Sequence, residues 1–291
     1  MLPNLGLSTS YFAARGFSIY DSVKRAYDLG FRLIELGANH CYEPGLTKII
    51  NKIKQDFPDV IFTQHCYFPP VFKREYFANP AYGLTLENKK VLDGMFNAAK
   101  ILKPKIISFH NGFNNKYDYE GEFKEFAGFK KFKIIGNISQ DKAFRGLKDF
   151  IKYALEKGRQ QGISIAIENV VSKTYGTKCT INGLTAFESL LKEFPDLNFL
   201  LDFGHAFIEY NNPFEFFSFS EKIIEMHLDD VTPEMRDHRV LGKGILDLTR
   251  LFSEIKKLPK MPILILEHSA EVKEEEIIGE IKLVEKYFKS C

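Results

Sequence analysis

Acidic and imidazole side chains recur in this chain at one kind of position, the last residue of a short apolar run. Glu168, Asp202, His227 and Glu267 each close such a run, as do His65 and His110. His205 follows three residues after Asp202, and His238 lies in the segment beyond His227. A lone histidine or glutamate at such a position is usually a solvated loop edge. Five of the seven histidines sit this way, however, and only His40 and His268 do not. If the fold gathers the ends of these runs, three carboxylates meet in one place and cannot all stay ionised without a compensating charge. A divalent cation supplies that charge. Imidazole with carboxylate suits Zn²⁺, Mn²⁺, Co²⁺ or Fe²⁺, and Mg²⁺ where oxygen donors dominate.

The elements that would position these residues are legible. Apolar runs at 4–9, 32–36, 60–65, 105–110, 163–168, 198–202, 223–227 and 262–267 alternate with amphipathic stretches at 18–29, 47–57, 85–102, 140–161, 183–194, 213–219, 247–257 and 274–289. The alternation predicts βα units and a parallel sheet. Eight repeats predict one closed (β/α)₈ barrel, an α/β fold in a single domain over residues 1–291. A parallel barrel brings every strand C-terminus to one face, so residues far apart in sequence converge there.

Period-two alternation supports the strands. Ser164, Ala166 and Glu168 share one face, while Ile163, Ile165 and Ile167 share the other and point toward the helices. The run at 223–227 is less regular, because it places Glu225 on the inner face with His227. That glutamate needs an internal partner, or the register differs by one residue. The long segments 66–84 and 111–139 follow strands on the same face and are expected to wall or cover the site.

Composition narrows the function classes. The 291 residues are 27% charged, with a net charge of +2 and a pI near 8.2, a weaker basic bias than a nucleic-acid binder usually shows. Cys41, Cys66, Cys179 and Cys291 form no CxxC pair and read as free thiols of a reducing compartment. No window reaches the ~18 apolar residues of a membrane span and no basic-then-apolar leader is evident, so a cytoplasmic location is expected. No phosphate-cradling glycine motif and no Ser-His-Asp pattern stands out.

Four segments carry a family resemblance: Ile165-Ala166-Ile167-Glu168-Asn169, Leu201-Asp202-Phe203-Gly204-His205, Glu225-Met226-His227-Leu228-Asp229-Asp230 and Ile265-Leu266-Glu267. With His238-Arg239-Val240-Leu241-Gly242-Lys243-Gly244, similar to a His-x-x-Leu-Gly-x-Gly loop, they resemble the xylose-isomerase-like TIM barrel superfamily over about residues 4–270. That superfamily holds sugar and sugar-phosphate isomerases and epimerases, and also endonuclease IV.

The isomerase and epimerase branch implies one metal on Glu168, Asp202, His227 and Glu267. A small sugar or sugar phosphate would react through an enediolate. Glu168 and Glu267 would pass the proton out and back, and His205 would steady the substrate oxygen. The endonuclease IV branch implies a metal-dependent phosphodiesterase acting on abasic-site DNA. Its larger ligand set matches His65, His110, Glu168, Asp202, His205, His227, His238 and Glu267. The remaining aspartate of that set falls at Arg236, and Asp237 is expected to point elsewhere, leaving a three-metal site incomplete. Asn169-Val170-Val171 after Glu168, Phe203-Gly204 before His205 and His268-Ser269 after Glu267 also depart from that branch.

The first expectation is therefore an isomerase or epimerase, with the phosphodiesterase as alternative. A metal-binding barrel without chemistry is a third reading. A nucleic-acid partner follows only from the alternative. Lys243 and Arg236 are either phosphate contacts or solvated charges, and Asp229-Asp230 either orient His227 or cap the next loop.

Overall fold

A computed structural model describes residues 2, 4–70, 78–119, 132–172, 178–210 and 212–289. The strands in chain order are β1 (Leu5–Ser8), β2 (Leu33–Leu36), β3 (Ile61–His65), β4 (Ile106–His110), β5 (Asn115–Tyr119), β6 (Phe132–Asn137), β7 (Ser164–Glu168), β8 (Leu197–Asp202), β9 (Ile223–Leu228) and β10 (Ile263–Leu266). The helices are α1 (Ser10–Ala13), α2 (Ile19–Asp28), α3 (Leu46–Asp56), α4 (Leu86–Leu102), α5 (Gln140–Gln161), α6 (Leu184–Glu193), α7 (Phe203–Tyr210), α8 (Leu248–Lys257) and α9 (Glu274–Lys289). Eight strands close into a parallel barrel in the order β1-β10-β9-β8-β7-β4-β3-β2. This is a single (β/α)₈ TIM barrel.

Local chemistry explains the helix limits. Ser18, Thr85 and Asp247 cap α2, α4 and α8 by accepting from the backbone N–H groups of Asp21, Asn88 and Arg250. Gly162 ends α5 in the left-handed region, at φ 67°. On α5, Leu147, Phe150, Ile151 and Ala154 recur at helical spacing and are buried. They join the main core, which fills the layer between strands and helices. A separate apolar cluster of Ile106, Ala166 and Leu200 lies inside the barrel. Ala166 and Leu200 each precede a carboxylate by two positions on the same strand face, so this cluster is the floor beneath Glu168 and Asp202.

Pairing sets the neighbours at the mouth. His110 is in register with Glu168, and Asp202 with His227. His227 is also in register with Ile265 of β10, and Ser8 with Glu35.

Three features depart from the expectations. Residues 213–219 form a 3-10 helix, and a helix the sequence does not announce, α7, starts directly after Asp202. Within 111–139, β5 and β6 pair as an antiparallel hairpin, and Phe113 bridges Cys179. The expectation that 66–84 and 111–139 cover the site falls partly on residues 71–77 and 120–131, outside the described residues. No helix among the described residues is long and apolar enough to cross a membrane.

Candidate metal centre

The barrel brings together the six residues that close the apolar runs and the two histidines that follow them, His205 and His238. Glu168 is their hub. Its Oε2 lies 3.2 Å from His65 Nε2 and 3.3 Å from His110 Nε2. Its Oε1 lies 3.1 Å from His205 Nδ1 and 4.0 Å from His227 Nδ1. Asp202 Oδ2 stands 3.3 Å from His205 Nδ1 and 3.6 Å from His227 Nδ1. Glu267 Oε2 is 2.8 Å from His227 Nδ1 and 3.9 Å from His238 Nδ1.

Four of the five histidines are aimed by the other ring nitrogen or by the backbone. His65 Nδ1 bonds Ser108 Oγ at 2.9 Å, which leaves Nε2 for the mouth. His227 Nε2 bonds Glu35 Oε2 at 2.9 Å, so Nδ1 is the nitrogen that faces Asp202 and Glu267. His205 is tied through its backbone N–H, which donates to Asp202 Oδ1 at 2.7 Å. The backbone N–H of His238 donates to Asp229 Oδ2.

The donors fit a cation better than they fit each other. Glu168 Oε2, Asp202 Oδ2, His227 Nδ1 and His238 Nδ1 are buried, yet none has an aligned hydrogen-bond partner among the described residues. Burying such atoms unpaired is costly. Metal ions bound among these groups would accept the lone pairs that no hydrogen bond uses.

Electrostatics point the same way. Burial opposes charge on His65, His205, His227 and His238, but neighbouring acids overcome it and hold all four well above 6.5. The acids are Cys66 and Glu168 for His65, Asp202 and Glu168 for His205, Glu35 and Glu267 for His227, and Asp237 and Asp229 for His238. Burial likewise opposes ionisation of Glu168, yet His110 and His65 hold its carboxyl well below the usual range. Without a metal, protons on the imidazoles balance the carboxylates. The Cys66 thiol, beside the same rings, is drawn down to about 6 against the effect of burial, by His110 and His65.

Asp237 corrects one expectation. It does not point elsewhere: its Oδ2 lies 3.5 Å from His205 Nε2, and His205, Asp237 and His238 present donors within 4.8 Å of one another. In extended backbone adjacent residues face opposite sides. His238 instead adopts a left-handed φ of 56°, and Met235 one of 60°. The alternation breaks, and two adjacent side chains face the same cavity.

Among the described residues five groups of donors lie close enough to share an ion, and three of them are built on Asp202 or His205. Glu168, Asp202 and His205 form one, and Asp202, His227 and Glu267 another that shares a member with it. His205, Asp237 and His238 form the third. His65 and His110 flank Glu168 on its remaining oxygen.

Two further carboxylates lie below. Glu35 ends near the mouth on β2 and is fully buried, and its role toward His227 is not apparent from sequence. Glu225 faces inward, so the register read from sequence holds. Burial and then repulsion from Glu35 push its carboxyl up to about 8, so it stays protonated at neutral pH.

Asp229 and Asp230 divide their work. Asp229 contacts His238, not His227. Asp230 accepts from the backbone N–H groups of Val231, Gly242, Gly244 and Leu246, which shapes the loop after His238. Lys243 is exposed and paired with Glu276. His40 bonds Thr9 Oγ1, and His268 faces Glu280 behind the barrel.

The chain belongs to the xylose isomerase-like TIM barrel family, whose model matches residues 23–287. It is 26% identical over 129 residues to the uncharacterized protein MJ1614 of Methanocaldococcus jannaschii, covering 41% of this chain. The match spans about half, 51%, of that relative's length. Among solved structures it is similar to an AP endonuclease, family 2, from Brucella melitensis, with a TM-score of 0.73, 13% identity, and 98% and 99% of the two chains covered. It is also similar to a D-tagatose 3-epimerase-like protein, with a TM-score of 0.69, 17% identity, and 98% and 97% covered. At these identities the likeness carries the fold alone.

Proposed function

We propose that the barrel mouth is a polynuclear divalent-metal centre that hydrolyses a phosphodiester, with abasic-site DNA as the first substrate to test. The observation that carries this reading is Asp237 beside His205 and His238. It supports the reading because it offers a carboxylate beside the one gap that the sequence left in the larger ligand set.

On this reading His65, His110 and Glu168 hold one ion. Glu168, Asp202, His227 and Glu267 hold a second, and His205, Asp237 and His238 a third. Ions so held supply Lewis acidity toward a phosphoryl oxygen and lower the pKa of water. The protein's own part is to fix the ligands. Glu35 orients His227, Ser108 orients His65, and Asp229 orients His238. The apolar floor of Ile106, Ala166 and Leu200 excludes water from beneath them.

A second reading, metal-dependent isomerisation or epimerisation of a small sugar through an enediolate, uses Glu168, Asp202, His227 and Glu267 alone. The Asp202–His227–Glu267 group supports it, since Glu168 Oε1 stands 4.0 Å from the same His227 Nδ1. It requires Glu168 to pass a proton through a free oxygen. Both of its oxygens face imidazoles, His205 on one and His65 and His110 on the other. That makes it the weaker reading on this geometry.

The experiment is incision of a DNA duplex carrying one abasic site, by protein loaded with zinc or manganese, together with metal content per chain. Incision that disappears in Glu168→Gln supports the phosphodiesterase. Solvent deuterium entering a ketose beside its carbonyl, with no incision and one ion per chain, would replace it with the second reading.

A further inference from the structure

Among the metal-site residues named above, one group borders a sulfur. Cys66 follows His65 directly and is 2% exposed, and its Sγ lies 3.4 Å from His65 Nε2. Donor atoms of His65, Cys66 and His110 all lie within 4.8 Å of one another. Ser108 occupies His65 Nδ1, so Nε2 is the ring nitrogen that faces the sulfur. An independent buried atom is aimed at the same place: Glu168 Oε2, fully buried and without an aligned hydrogen-bond partner among the described residues, 3.2 Å and 3.3 Å from Nε2 of His65 and His110. Cys66 also borders the main apolar core. A thiol that only packed there would have no reason to direct its sulfur at two imidazoles.

Two imidazole nitrogens, one sulfur and one carboxylate oxygen are a full set for tetrahedral zinc, and a zinc ion with four protein ligands has no position open to water. We propose that Cys66 is a thiolate ligand to the ion held by His65, His110 and Glu168, which closes that position to water and selects zinc over magnesium or manganese. The inference rests on the metal-centre reading above and adds a ligand to it. Bond formation breaks the S–H bond, releases its proton to solvent, and donates a sulfur lone pair to the ion, with no oxidant or reductant. Sulfur favours zinc over the harder Mg²⁺ and Mn²⁺. Positions open to substrate then belong to the groups built on Asp202, His227 and Glu267, and on His205, Asp237 and His238.

The test is zinc K-edge X-ray absorption on the full chain loaded with zinc, with metal content measured on the same sample. A sulfur shell at about 2.3 Å in the native protein, retained in Cys179→Ser and lost in Cys66→Ser, is the expected result. Cobalt-loaded native protein and Cys179→Ser should both show a thiolate-to-metal charge-transfer band, and its absence overturns the proposal even if Cys66→Ser fails to fold. Zinc bound through nitrogen and oxygen alone in the native protein overturns the Cys66 ligand and leaves the metal-centre reading standing. A native protein that binds no divalent ion overturns both, and metal content reports that failure separately.

Discussion

His227 on β9 and Glu35 on β2 are 192 residues apart in sequence, yet Nε2 and Oε2 meet at 2.9 Å with both side chains fully buried. The carboxylate accepts a hydrogen bond from Nε2–H and turns Nδ1 toward Asp202 and Glu267. Such partners orient a ligand ring and raise its basicity. Glu35→Gln should therefore weaken metal binding by about 10–100-fold while the barrel stays folded. Competition with a chromogenic chelator reads the affinity, and circular dichroism the fold. Unchanged affinity would show that the pair serves packing alone.

Asp237→Asn tests the third donor group. The substitution keeps the shape of the side chain and removes its charge. Beside His205 and His238 this should lower zinc content by about one ion per chain, measured by mass spectrometry after dialysis. Asp237 is only partly buried, so the fold should tolerate the change. A zinc content equal to that of the native protein would remove Asp237 from the ligand set and reopen the single-ion reading.

Glu225 makes a prediction about pH. Its carboxyl is pushed up to about 8 in the folded chain, by burial and then by Glu35, against 4.5 in an unperturbed one. The folded state therefore holds a proton that the unfolded state releases. Its contribution is fully present below about pH 4.5 and is lost as pH rises toward about 8. Glu225→Gln removes this dependence. In chelator at about pH 7.5 the variant should be more stable by roughly 4 kcal/mol, and the advantage should vanish near pH 4.5. Urea unfolding at the two pH values decides it, and an equal gain at both would show that ionisation is not the cause.

The loop that carries His238 depends on one close approach. A Cβ at Gly244 would lie 2.2 Å from Asp230 Oδ1 and 2.3 Å from the Val231 carbonyl oxygen. Gly244→Ala should displace Asp230 from the four N–H groups it accepts and cost about 1–3 kcal/mol, with weaker binding at the His238 group. A variant with native stability and native zinc content would mean that the loop closes without Asp230.

The sequence by itself determined the barrel and most of the mouth. Alternation of apolar runs and amphipathic stretches is a local signal, and it placed all eight barrel strands within a residue or two. The polar residues closing these runs were equally visible, because one such residue is an ordinary loop edge but six at the ends of successive runs are not. Helix α7 was not visible, since Phe203–Tyr210 is largely buried and has no polar face to set a helical period. The pairing of β5 with β6 was hidden for a similar reason, in a segment read only as a long loop.

Tertiary structure alone decided three matters. It brought Asp237 to His205 through left-handed backbone at Met235 and His238, which no side-chain pattern encodes. It put Glu35 against His227, a contact made across the barrel by strands from opposite ends of the chain. It also set the Cys66 sulfur beside His65 and His110, where the sequence offered only a free thiol. Periodicity in a sequence reports which face a side chain takes, whereas distance between faces depends on how the barrel closes.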